Sequence, residues 1–101
     1  MESSLAERYR LELEIILNKR ITVDEQKTID KGLSYFQEVY RKRVYRYQGD
    51  EVYYNLLKQI LLQGFDLGVA YEFSIQIINR EIRFMDHYLN CGGVYFPRFY
   101  P

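Results

Sequence analysis

Eleven positions between residues 51 and 89 constrain this chain more than anything else in it. At about 100° per residue, Tyr53, Leu57, Ile60, Gly64, Leu67, Tyr71, Ile75, Ile78, Ile82, Met85 and Leu89 fall in a sector about 80° wide. A phase kept for that long predicts one continuous helix over 51–89, roughly 58 Å long at 1.5 Å per residue. The stretch "LLQGFDLGVAY" carries a contrary signal: Gly64 can stop a helix and Asp66 can cap a new one. A turn would normally reset the phase, however. Gly64 also sits inside the stripe, where a missing side chain lets another backbone come close. The single helix is therefore the preferred reading, accepting about 1 kcal/mol per interior glycine. On it, Gly64 and Gly68 form a small-xxx-small pair that marks a close helix crossing in the core.

Two earlier segments show the same period. In "SLAERYRLELEIILNK", Leu5, Tyr9, Leu13, Ile16 and Leu17 share a face, with Ser3 or Ser4 as N-cap. The next helix opens at "TVDE". Thr22 and Glu25 have the spacing of a capping box, in which the hydroxyl accepts from the Glu25 amide and the carboxylate from the Thr22 amide. Ile29, Leu33, Phe36, Tyr40, Val44 and Tyr47 continue as its stripe. Gly49 is read as the left-handed residue that ends this helix, with Asp50 capping the next. The expected fold is all-α: an antiparallel helical bundle of three main helices, at about 4–19, 23–48 and 51–89. A helical domain over 1–91 is followed by an extended tail over 92–101. Pro97 and Pro101 forbid helix in "VYFPRFYP", and four aromatics in eight residues predict that this tail docks on a surface.

Beside the main stripe, Ala70, Phe73, Ile77, Phe84 and Tyr88 form a second apolar sector. A helix that is apolar around more than half its circumference must be covered on two sides, and a second copy of the chain is the simplest cover. These five residues are the expected interface of a homodimer.

Composition narrows the function classes. Hydrophobic residues make up 48% of the 101, which places the chain with folded rather than disordered sequences. Fourteen basic and fourteen acidic side chains cancel, against the basic excess usual in a nucleic-acid coat. The charge is uneven: residues 1–18 sum to −2, 19–48 to +4 and 49–101 to −2. One cysteine, Cys91, allows no intrachain disulfide and fits a reducing compartment. The mixed-charge N-terminus has no secretion-signal layout, and no apolar run approaches the roughly 20 residues of a membrane span. The expectation is a cytoplasmic protein with no membrane contact.

The basic excess concentrates in "YRKRVYRY", residues 40–47. Arg41, Lys42, Tyr45 and Arg46 spread over the outer half of the helix, joined by Lys27, Lys31 and Tyr35. Basic residues interleaved with tyrosines can hold phosphate and stack on bases. Cations in a last helical turn are also expected simply because they offset the dipole's negative end, and Glu38 interrupts the face. A solvated face is the plainer reading. Arg43 and Glu81 each fall in an apolar sector. A continuous last helix would set Glu81 near Lys19 and Arg20, whereas a break at Gly64 would set it near Arg43. His87 and Cys91 lie four apart on one face, but two ligands do not make a zinc site and nothing else completes one. No carboxylate pair, phosphate loop or Ser/His/Asp set stands out, so neither an enzyme, a metal nor a cofactor is implied.

The function expected from the sequence is a small non-enzymatic regulator or inhibitor of phage or mobile-element type, which binds a protein partner by occupying its surface. Tyr35, Arg41, Lys42, Tyr45, Arg46, Tyr95, Phe96, Arg98, Phe99 and Tyr100 are its candidate contacts, since Tyr and Arg on a rigid scaffold offer area at little entropic cost. The alternative is a nucleic-acid-binding helical dimer using the basic-aromatic face.

Overall fold

The computed structural model of the chain describes residues 5–43 and 49–93, and its regular structure there is entirely helical. Four helices follow in order: α1 (Leu5–Leu17), α2 (Val23–Arg43), α3 (Gly49–Leu61) and α4 (Leu67–Asn90). None is long and apolar enough to cross a membrane.

The interior of α1 and the start of α2 form as their local signals direct; Ser3, Ser4, Val44 and Tyr47 lie outside the described residues. Leu13 is fully buried, and Tyr9, Ile16 and Leu17 pack on the core beside it. Asn18 takes φ 56° and ends α1; its amide reaches Ile15 O and the Lys19 amide reaches Glu14 O. That bond pair closes a Schellman-type C-terminus. The capping box opens α2 with both bonds in place: the Glu25 amide donates to Thr22 Oγ1 (3.1 Å) and the Thr22 amide to Glu25 Oε1 (2.9 Å). Ile29, Phe36 and Tyr40 of the expected stripe are buried.

The long helix does not exist. Residues 51–89 divide into α3 and α4 at Gly64, which adopts φ +102°, a conformation open to glycine at little cost. Asp66 then caps α4, accepting from the Val69 amide at 2.9 Å. The phase survives the turn for an arithmetical reason. Ile60 and Leu67, core residues on either side of the break, are seven positions apart, close to two turns on a helical wheel, so the numbering keeps its phase although the residues between them are not helical. The Gly64/Gly68 crossing falls with it: both glycines are exposed, and a Cβ at Gly64 would meet nothing within 4 Å.

Gly49 is corrected in the opposite sense. It is not among the residues with positive φ, and it starts α3 rather than ending α2. A Cβ there would collide with the Phe36 carbonyl and stand 2.8 Å from the Gln37 amide nitrogen. Glycine is needed because two backbones meet.

α3 is the axis of the fold. Eight of its thirteen residues are buried, so it is apolar nearly all round and must be enclosed by neighbours. α2 crosses its first turn, where Tyr53 lies over Gly32 and packs on Phe36 with ring centroids 4.9 Å apart. Of the other described helices, α1 approaches only α3: Tyr9 stacks on Tyr54 at 4.4 Å, and Lys58 meets Glu12 at 2.8 Å. α4 returns antiparallel to α3 and therefore parallel to α2. Two ties show the register: Tyr35 to Asn79, and Arg43 to Asp86. Burial pushes the Tyr54 hydroxyl up to about 12 and raises Tyr53 further still. The Tyr53 oxygen finds no hydrogen-bond partner among the described residues.

Candidate interaction surface

The outer side of α4 carries the largest exposed aromatic strip among the described residues. Phe73, Phe84 and Tyr88 are exposed to 37%, 44% and 45%. They stand there because α4, at 24 residues, is nearly twice as long as α3 and presents only one face to it. Leu89, placed in the core stripe by periodicity, is on this exposed end instead. Phe65, in the turn before α4, stands edge-on to Phe73 with centroids 5.3 Å apart and extends the strip at its start. Of the five residues expected at a dimer interface, Phe73, Phe84 and Tyr88 are exposed and Ile77 is half-buried. Ala70 is fully buried within the chain, where its small side chain lets α4 approach its neighbours.

The basic face of α2 is partly neutralised. Glu38 receives Arg41 at 2.6 Å and Lys42 at 2.9 Å, from the next turn of its own helix. Hydrogen bonds from Lys42 and Arg41 hold its carboxyl below the usual range. Tyr35 spends its hydroxyl on Asn79 at 2.5 Å, tying α2 to α4. Tyr45, Arg46, Tyr95, Phe96, Arg98, Phe99 and Tyr100 lie outside the described residues, as does the expected docking of the tail. Arg43 pairs with Asp86 at 2.8 Å, five residues beyond the buried Glu81. The broken-helix alternative thus brings Arg43 to the right helix but to a different acid.

Periodicity alone does not single out Arg80 and Arg83. Both are exposed on the outer side of α4, and neither has a carboxylate partner among the described residues. Their signal is present in the sequence, since on the wheel Arg80 falls about 20° outside Phe73, on the side away from Phe84, and Arg83 a further 60° round. Leu11 and Ile15, exposed on α1, belong to no stripe read from the sequence. They flank an open, shallow depression with Glu14, Asn18, Lys19 and Arg20. His87 and Cys91 are exposed, and no three His, Cys, Asp or Glu side chains gather among the described residues.

No protein-family model matches the chain, and neither a curated protein nor a solved structure matches it.

Proposed function

We propose that the chain is a small protein-binding regulator without catalytic activity of its own, acting by occupying a partner protein's surface with the outer side of α4. The observation that carries this reading is the aromatic strip from Phe73 to Tyr88, held on a single 24-residue helix with each ring more than a third exposed. Aromatic side chains fixed on a rigid element bring contact area with few rotamers to lose, which is why they concentrate at interface centres. An exposed strip of this kind costs solubility unless something covers it.

The test compares wild-type protein with the Phe73→Glu/Phe84→Glu variant as baits in cells of the native host, followed by calorimetry on each purified candidate. Circular dichroism controls for fold. The expected result is at least one protein that binds wild type directly and loses the variant. If every partner binds both equally, the strip is not the contact surface. The basic face of α2 gives weaker support to a nucleic-acid reading, because Glu38 already engages two of its cations.

A further inference from the structure

On this reading of α4 as a docking surface, the charge around the aromatic strip says what kind of partner it takes. On a helical wheel Phe73, Ile77, Phe84 and Tyr88 lie within about 60° of one another. From Phe73 to Tyr88 the strip is roughly 22 Å long, enough for about four turns of a second helix laid along it. Its composition is apolar at every turn, which suits the apolar stripe of an amphipathic helix better than an extended strand. No sheet edge exists among the described residues for a strand to join.

The margin toward α2 is positive. Arg80 flanks the strip about 20° beyond Phe73 on the wheel, and Arg83 lies further toward α2. Across the α2–α4 seam, which the Tyr35–Asn79 bond locates, come Lys31 and the Arg41, Lys42 and Glu38 cluster. Together these are five cations against two carboxylates, Glu38 and Glu72, all on the described outer surface. Asp86, the remaining acid on this side of α4, is engaged by Arg43.

We infer that the outer side of α4 docks an amphipathic helix of a partner protein whose polar flank is acidic. Its apolar stripe lies on Phe73, Ile77, Phe84 and Tyr88, and its carboxylates meet Arg80 and Arg83. A second copy of the chain fits less well. Antiparallel two-fold pairing of α4 about the middle of the strip, between positions 80 and 81, brings Arg80 to the same side as its own counterpart, and like charges across an interface disfavour it. A nucleic acid would use the cations but leave the aromatic strip uncovered, since the rings stand outside the charged margin.

The experiment is a display library of amphipathic helices about 18 residues long, with a fixed apolar stripe and free polar positions, selected against the full chain. The expected outcome is enrichment of Asp and Glu on the flank toward α2. Selected helices should bind wild type about tenfold or more tighter than their Lys-substituted counterparts. Against the Arg80→Glu/Arg83→Glu variant, which alters only exposed charges, the preference should reverse to Lys and Arg. Phe73→Ser should weaken every selected helix. Helices enriched without charge preference, or unaffected by the reversal, would overturn the acidic-partner inference and leave protein binding by the strip intact. Failure to enrich any helix overturns both. A doubled mass in light scattering that Phe73→Ser returns to 12.3 kDa assigns the strip to a second copy instead. Salt-steep binding of duplex DNA that survives Phe73→Ser assigns the surface to nucleic acid.

Discussion

Gly49 and Gly64 stand at the two ends of α3 and use opposite properties of the same residue. At Gly49 the chain has ordinary backbone angles and no room: Phe36 and Gln37 of α2 occupy the place of a side chain. At Gly64 it has all the room a side chain would need and a φ of +102°, which side chains oppose. One end of α3 is closed by packing and the other is set by conformation. The difference follows through the neighbouring residues. Next to Gly49, Val52, Tyr53 and Tyr54 are buried; next to Gly64, Leu62, Gln63 and Phe65 are exposed.

The closed end should be the less tolerant. Gly49→Ala forces a methyl group into the α2 backbone, which cannot swing aside as a side-chain tip would. We expect a loss of about 3 kcal/mol, measured by urea denaturation, as for severe overpacking. Gly64→Ala meets no atom and should lose only the cost of a left-handed alanine, about 1 kcal/mol. A D-alanine placed at position 64 by chemical ligation should lose nothing. If alanine is the costlier at position 64, the two roles have been assigned the wrong way round.

The closed end also sets the alkaline limit. Tyr53 and Tyr54 titrate near 10.0 when unfolded, and burial raises both in the folded chain, Tyr54 to about 12. Between those values the unfolded state has released protons that the folded state still holds, so rising pH favours unfolding. Stability is complete below pH 10 and is lost above it, by about 2 kcal/mol at pH 12 from Tyr54 alone. The melting temperature should be level up to that point and then fall. Tyr54→Phe should flatten the fall; an unchanged alkaline slope would mean the ring is not enclosed.

Which of these features can be read from the sequence depends on how far each cause reaches along the chain. The capping box at Thr22 and Glu25 and the stop-and-cap at Gly64 and Asp66 act within a turn, and both signals are correct as local chemistry. Helical phase outweighs the second only because it is a longer-range inference that a seven-residue interval happens to satisfy. The two glycines are exchanged for the same reason. Whether a glycine serves conformation or approach depends on what lies beside it, and at Gly49 that neighbour is thirteen positions away at Phe36. The density of "VYYNLLKQILL" marks α3 as the enclosed helix, but a single stripe leaves Val52, Tyr54, Leu56 and Leu61 unaccounted for. On α4 the wheel finds Phe73, Phe84 and Tyr88. It misplaces Ala70, since a small residue at a sector's edge suits a buried contact as well as an open one.

The smallest expected effect is the one that separates the two readings of Gly64 most cleanly. With the break, α4 returns beside α2 and Arg43 reaches Asp86 at 2.8 Å. Without it, position 86 would stand about 55 Å along a straight helix from Gly49, far from the end of α2. A double-mutant cycle with Arg43→Met and Asp86→Asn should therefore return a favourable coupling, but one below about 1 kcal/mol, because the carboxylate is nearly half exposed and water screens the pair. Raising the salt concentration should reduce it further. What discriminates is the coupling's existence, not its size. A value indistinguishable from zero at low salt would leave the register of α2 against α4, and the positive margin of Lys31, Arg80 and Arg83, resting on the Tyr35–Asn79 bond. A coupling that persists with D-alanine at position 64 and weakens in the Gly64→Ala protein would tie that register to the conformation of one residue.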